Sequence, residues 1–137
     1  MTLGHIAFCV TDMPATLAFY EKALGIHKAF SLADPSTGAP WIEYLLVAPG
    51  QFIELFYGGN APAAVQGNPA GFGHLCLAVD DINAAAARVR EAGYPLIGGP
   101  SQGCDGNWQV WTADPDGVRI ELMQIMPDSP QDVASRK

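Results

Sequence analysis

Short apolar runs of strand length alternate with two longer amphipathic stretches along the chain. Leu3–Val10, Trp41–Val47, Phe52–Tyr57, His74–Val79, Trp108–Ala113 and Val118–Ile125 have the composition and length of strands. A helix is predicted over Met13–Leu24, with Asp12 or Thr11 as N-cap, Pro14 in its first turn and Gly25 as its stop. A second is predicted over Ile82–Ala92, opened by Asp80 or Asp81 and closed by Gly93. Ala48-Pro49-Gly50-Gln51 and Asp114-Pro115-Asp116-Gly117 are turn sequences that join strands into two hairpins. On a strand, residues two apart share a face. His5, Ala7 and Cys9 therefore oppose the bulkier Ile6, Phe8 and Val10, and His74, Cys76 and Ala78 oppose Leu75, Leu77 and Val79. The bulky faces are expected to pack on the helices.

The two halves of this pattern repeat each other. Gly4-His5-Ile6-Ala7-Phe8-Cys9-Val10-Thr11-Asp12 aligns with Gly73-His74-Leu75-Cys76-Leu77-Ala78-Val79-Asp80-Asp81 at an offset of 69 residues. Each copy runs into a helix and closes with a strand carrying Ile-Glu-Leu, at Ile53-Glu54-Leu55 and Ile120-Glu121-Leu122. Two copies are too few for a solenoid. A strand, a helix and about three more strands per copy predict an α+β fold of two paired βαβββ modules. The expected layout is one domain over residues 1–137: module 1 at about 3–57, a Gly-, Pro- and Ala-rich linker at 58–71, module 2 at 72–126 and a polar tail at 127–137.

Composition narrows the function. A chain of 137 residues with 49% hydrophobic and 15% charged residues has the makings of a folded core. Seven basic residues against 14 acidic ones, net −7, argue against nucleic acid as a partner, because phosphate neutralisation needs clustered Lys and Arg. No apolar run approaches the length that spans a bilayer. The start, MTLGHIAFCV, lacks the basic and long apolar segments of a secretory signal. Three cysteines at irregular spacing suggest no disulfide framework. A cytoplasmic protein is expected, with no membrane partner.

Duplicated modules place equivalent strands around a pseudo-twofold axis, where His5, Glu54, His74 and Glu121 can converge. Glu54 lies between Phe52 and Phe56 and Glu121 between Arg119 and Met123 on their faces, which are not solvated settings for a carboxylate. A single histidine at a strand start is more often structural. Two at matched positions, followed by a glutamate 49 and 47 residues later, form a candidate site for a divalent metal. Imidazole and carboxylate suit zinc, nickel, cobalt, iron(II) or manganese better than soft-thiolate metals. Such an ion, with a carboxylate beside it, supports proton transfer at carbon next to a carbonyl.

The stretches GHIAFCVTDMPATLAFYEKALGI, FIELFY, GHLCLAVDDINAAAARVREAGY and WTADPDGVRIELMQI resemble the vicinal oxygen chelate superfamily over about residues 3–126. That superfamily includes glyoxalase I, methylmalonyl-CoA epimerase, extradiol dioxygenases and bleomycin-resistance proteins. The resemblance implies an open barrel-like cavity around a metal, with His5, Glu54, His74 and Glu121 as ligands. The order His, Glu, His, Glu is similar to glyoxalase I, whereas epimerases typically have Gln at the Glu54 position and extradiol dioxygenases use two His and one Glu. It implies a metal-dependent lyase or isomerase acting on an α-oxo substrate or thiol hemithioacetal through an enediolate. Glu121 and Glu54 are then the proton-transfer residues. Nickel, cobalt or zinc is the implied ion, with iron and manganese as alternatives. The partners implied are a small-molecule substrate and a second copy of the chain, in a homodimer whose subunits can share the site. The alternatives are an epimerase, a dioxygenase, and a drug- or metabolite-binding protein without turnover.

Substrate contacts are less marked. Relatives that use glutathione commonly have Arg where this chain has Cys9, and a basic residue in the loop that here reads Gln102-Gly103-Cys104-Asp105-Gly106-Asn107. Asn60, Trp108 and Arg119 are candidate substrate contacts, and an internal ion pair is an equal alternative for Arg119. Glu43 joins the face of Glu54 if the Ala48–Gln51 turn pairs residues 45 and 54. An exposed strand position is the preferred reading for it. Order is expected to end near Met126, with the tail frayed or packed on a partner.

Overall fold

A computed structural model of the chain describes residues 1–61 and 70–136. The chain divides into two compact units, Met1–Gly67 and Asn68–Lys137. Most of the expected linker, residues 62–69, lies outside the described residues.

The first unit is a βαβββ module: β1 (His5–Cys9), α1 (Met13–Leu24), β2 (His27–Ala33), β3 (Pro40–Ala48) and β4 (Gln51–Phe56). Its sheet runs β1-β4-β3-β2, with β1 parallel to β4 and the remaining pairs antiparallel. Asp12 caps α1 by accepting from the Ala15 amide at 3.0 Å. Gly25, at φ 71°, ends the helix in the left-handed conformation that glycine enters without steric cost. Val10, Phe19, Tyr20, Ala23, Leu45, Ile53 and Leu55 form the buried core of this unit.

The second unit repeats the plan: β5 (Leu75–Ala78), α2 (Ile82–Glu91), β6 (Gly98–Gln102), β7 (Trp108–Ala113) and β8 (Arg119–Gln124), in a sheet ordered β5-β8-β7-β6. Asp81 caps α2 through the Asn83 and Ala84 amides. The helix packs on β6, β7 and β8, burying Ile82, Ala86 and Val89 with Val110, Ile120 and Leu122. The Asp114 carboxylate accepts from the Asp116 and Val118 amides and fixes the β7–β8 turn. The fold is therefore α+β, built from two βαβββ modules with open four-stranded mixed sheets.

Two strands that the βαβββ plan requires had no predicted place, and one helix goes beyond the predicted set. The edge strands β2 and β6 were placed by no apolar run. All of β2 is exposed and its pairing is interrupted by two irregularities, while β6 reads Gly-Gly-Pro-Ser-Gln. Such strands are held by one neighbour rather than by their own propensity. The expectation of a tail without order is corrected. Helix α3 (Pro130–Ser135) follows an N-cap at Ser129, and the buried Asn107 ties this segment down. Its carboxamide oxygen accepts from the Met126 amide at 2.8 Å, and its nitrogen donates to Gln131 and Asp105. Among the described residues no helix is long and apolar enough to cross a membrane.

Candidate metal-binding half-sites

Parallel pairing of the first and last strands of each module is what brings histidine and glutamate together. In the first unit β1 lies beside β4 with His5 opposite Phe52 and Ala7 opposite Glu54. His5 Nδ1 stands 3.2 Å from Glu54 Oε1. In the second unit Cys76 lies opposite Glu121, and His74 Nε2 stands 3.0 Å from Glu121 Oε2. Both carboxylates are buried, at 6% residue exposure, whereas the His5 and His74 rings keep 56% and 38% of their side-chain surface. A buried carboxylate beside a half-open imidazole presents a nitrogen and an oxygen at one accessible spot. An ion held about 2.0–2.2 Å from each of two neighbouring donors keeps them about 3.0–3.4 Å apart. Each pair fits that spacing, which equally serves a hydrogen bond between imidazole and carboxylate.

Neither half is a complete site. Among the described residues no group of three or more His, Cys, Asp and Glu side chains is arranged to hold a metal. Each unit brings together one imidazole and one carboxylate.

The neighbours of each pair follow from the register. Tyr44 lies directly opposite Glu54 on β3, and a hydrogen bond to that carboxylate pushes the Tyr44 phenol above its ordinary value. The Tyr44 ring stacks on Phe30 at 4.2 Å and meets Phe52 edge-on at 6.1 Å. At the matching position of the second unit Trp111 lies opposite Glu121 on β7, with its ring 4.8 Å from that of His74. Trp111 donates from Nε1 to Gln109 Oε1 at 3.0 Å. Desolvation and the adjacent Glu121 carboxylate push the Cys76 thiol up to about 12. Sequence reasoning did not single out Tyr44, because counting back from the Ala48–Gln51 turn sets Leu45 opposite Glu54 and only the irregularity between Leu46 and Ala48 brings Tyr44 there.

Other predicted contacts are placed as follows. Asn60 is exposed in the segment after β4, where Gly59 donates to the Val10 carbonyl at 3.0 Å. Trp108 pairs with Gln124, which by parity sets it on the opposite sheet face from Glu121, so the structure does not bring it to the His74–Glu121 pair. Arg119 shares the Glu121 face and lies over Trp111, 4.8 Å from the ring centroid. No ion pair among the described residues engages it, so the internal ion-pair alternative is set aside.

Glu43 departs from both of its readings. An irregularity between Leu46 and Ala48 shifts the register by one, so Tyr44 rather than Leu45 faces Glu54, and Glu43 falls on the opposite side of the sheet. It is not exposed there. At 5% exposure it accepts from the Ser31 hydroxyl and from the Tyr57 hydroxyl at 2.8 Å, with Lys28 Nζ at 3.3 Å. Desolvation pushes its carboxyl up, but these donors outweigh it and hold it below its ordinary value.

A duplicated βαβββ plan with a His–Glu pair across the parallel strands of each copy defines a narrow class of proteins. The sequence profile described as the Glyoxalase/Bleomycin resistance protein/Dioxygenase superfamily matches residues 2–122, and the chain belongs to that superfamily. It is 33% identical over 132 residues to a Cereibacter sphaeroides protein named ethylmalonyl-CoA/methylmalonyl-CoA epimerase, covering 90% of this chain and 97% of that one. It is 30% identical over 127 residues to a Synechocystis protein named probable lactoylglutathione lyase, covering 90% and 95%. Among solved structures, a protein from the mobile metagenome of V. Pseudocholerae is similar at 30% identity and a TM-score of 0.68, covering 93% and 96%.

Proposed function

We propose that the protein is a divalent-metal-dependent enzyme of the glyoxalase I type, moving a proton at carbon next to the carbonyl of an α-oxo substrate or thiol hemithioacetal through an enediolate. The observation that carries this reading is the occurrence of one His–Glu pair per module, at 3.2 and 3.0 Å, on equivalent strands. His5, Glu54, His74 and Glu121 together would hold the ion, preferably nickel, cobalt or zinc. When bound, the ion supplies Lewis-acid stabilisation of the charge that develops on the substrate oxygens.

The remaining chemistry falls to the chain. Glu121 takes the proton from carbon and returns it to the neighbouring carbon, which isomerises the substrate. Trp111 packs against the His74 ring and positions it beside that carboxylate. Tyr44, hydrogen-bonded to Glu54, holds the other carboxylate in place. Because each unit supplies only two donors, the four are completed either within one chain or between the two copies of a homodimer. A metal-loaded monomer in solution would rule out the second arrangement.

A second reading, return of the proton to the same carbon, is favoured by the relative named as an epimerase. The decisive experiment is metal analysis of the purified protein. It is followed by hemithioacetal isomerisation with nickel, cobalt or zinc added back, and by deuterium exchange into a methylmalonyl thioester. Isomerisation supports the first reading. Exchange without isomerisation supports the second, and a protein that binds no divalent ion overturns both.

A further inference from the structure

The two half-sites differ in what stands two residues before the glutamate on the same strand face. In the first unit it is Phe52, packed edge-on against Tyr44. In the second it is Arg119, whose guanidinium lies over the Trp111 ring. We propose that the Arg119–Trp111 stack is an anion subsite, which makes the substrate a small α-oxo or acyl-thioester compound carrying a carboxylate.

Four observations support the assignment. Arg119 and Glu121 lie on one face of β8, and alternate residues of a strand are roughly 6.5–7 Å apart. A carboxylate held by the first therefore sits within a few bonds of a carbon facing the second. Trp111 lies opposite Glu121, so the guanidinium resting on it is drawn toward the glutamate rather than away from it. The indole is itself held, by its bond to Gln109 and by the His74 ring against it. A guanidinium stacked on a fixed aromatic face keeps its edge donors free for a planar carboxylate and loses little entropy in binding it. Finally, Arg88 and Arg90 lie on α2, which packs on the other face of this sheet, and Arg136 pairs with Asp128 and Asp132.

The substrate class rests on the proposed reaction, but the anion subsite does not need turnover to be seen. Two ligand pairs test it, matched in size and differing in charge. Hemithioacetals of methylglyoxal with 3-mercaptopropanoate or 3-mercaptopropanamide serve as substrates for the metal-loaded protein. The unreactive thioethers 3-(methylthio)propanoate and 3-(methylthio)propanamide serve as ligands in calorimetry, with and without metal. The expected result is a preference for the carboxylate of about tenfold or more in both kcat/KM and affinity, the scale of a hydrogen bond to a charged group. Arg119→Gln should erase that preference and Arg119→Lys should keep part of it, since Lys retains the charge but not the fork. Absence of turnover in the wild-type protein, with the binding preference present and dependent on Arg119, would overturn the proposed reaction and leave the subsite standing. A wild-type protein without the preference, or an Arg119→Gln protein that keeps it, would overturn the subsite.

Discussion

In the first sheet the glutamate that faces histidine is surrounded by aromatic carbon, with Tyr44 opposite it and Phe30 and Phe52 packed on that ring. In the second sheet the equivalent glutamate has Trp111 opposite and Arg119 beside it. Everything beneath these side chains is alike. Each sheet has the same strand order, the same parallel pairing of first and last strands, and the same aliphatic pair on the helix face, Ile53 and Leu55 or Ile120 and Leu122. Duplication has kept the donor pair and its scaffold while the flanking positions diverged. Under the proposed function, what is held in common would serve the ion, and what differs is free to serve the substrate.

The largest effect should come from the shared part. Glu54→Ala and Glu121→Ala should each abolish stoichiometric metal in the purified protein, measured by elemental analysis. Glu121→Gln should lower turnover by roughly 10²–10⁴-fold, the usual contribution of a positioned base. Metal retained at full occupancy in either alanine variant would break the symmetry between the halves.

Next in size are the cores. Leu55→Ala and Leu122→Ala remove equivalent buried side chains, exposed at 0% and 2%, and each should cost about 2–5 kcal/mol in denaturant unfolding. A much smaller loss at one of them would mark that unit as the looser of the two.

Glu43 sharpens the comparison through pH. The equivalent strand position of the second unit is the buried Val110, so only the first sheet carries a carboxylate there. Its folded carboxyl is held below the ordinary value near 4.5, so in acid the unfolded chain binds the extra proton. Its stabilisation is therefore present above pH 4.5 and is lost as pH falls through the depressed folded value. Glu43→Gln should lower stability at pH 7 by about 1–2 kcal/mol, with the gap from wild type closing toward acid pH. A constant gap across pH would assign the loss to packing instead.

The smallest effect expected is that of Tyr44→Phe, which removes the phenol donor to Glu54 and keeps the ring. It should weaken metal binding by less than about tenfold, the scale of one neutral hydrogen bond. Trp111→Phe, its counterpart, removes a donor that points to Gln109 and should leave metal affinity closer to wild type.

How much of this was legible in the chain depends on what each element owes to local sequence. Both helices were readable because Asp12 and Asp81 cap them and glycine follows each. The four candidate donors were readable as a set because the repeat marks their strands, but their grouping as one His–Glu pair per module follows from the parallel register of β1 with β4 and of β5 with β8. Strands β2 and β6 were not, since edge pairing rather than an apolar pattern holds them. Glu43 and Tyr44 exchanged faces because one irregularity beside Val47 shifts the register, and a one-residue shift inverts every position beyond it. Arg119 lay on the correct face by parity, but its stack on Trp111 depends on a partner strand that the chain pattern does not resolve to the residue. The ordered tail rests on Asn107, a contact made across the fold by a residue that reads as loop.

The parallel pairing of β1 with β4 and of β5 with β8 has a consequence for how the protein is made. Each donor pair spans a whole module, so the ribosome must release the last strand before the first can meet it. No nascent fragment shorter than a module can present both donors. Under the proposed function, capture of the ion needs both pairs and so would follow completion of the second module, and an ion that binds only the finished fold would draw the chain toward it by mass action.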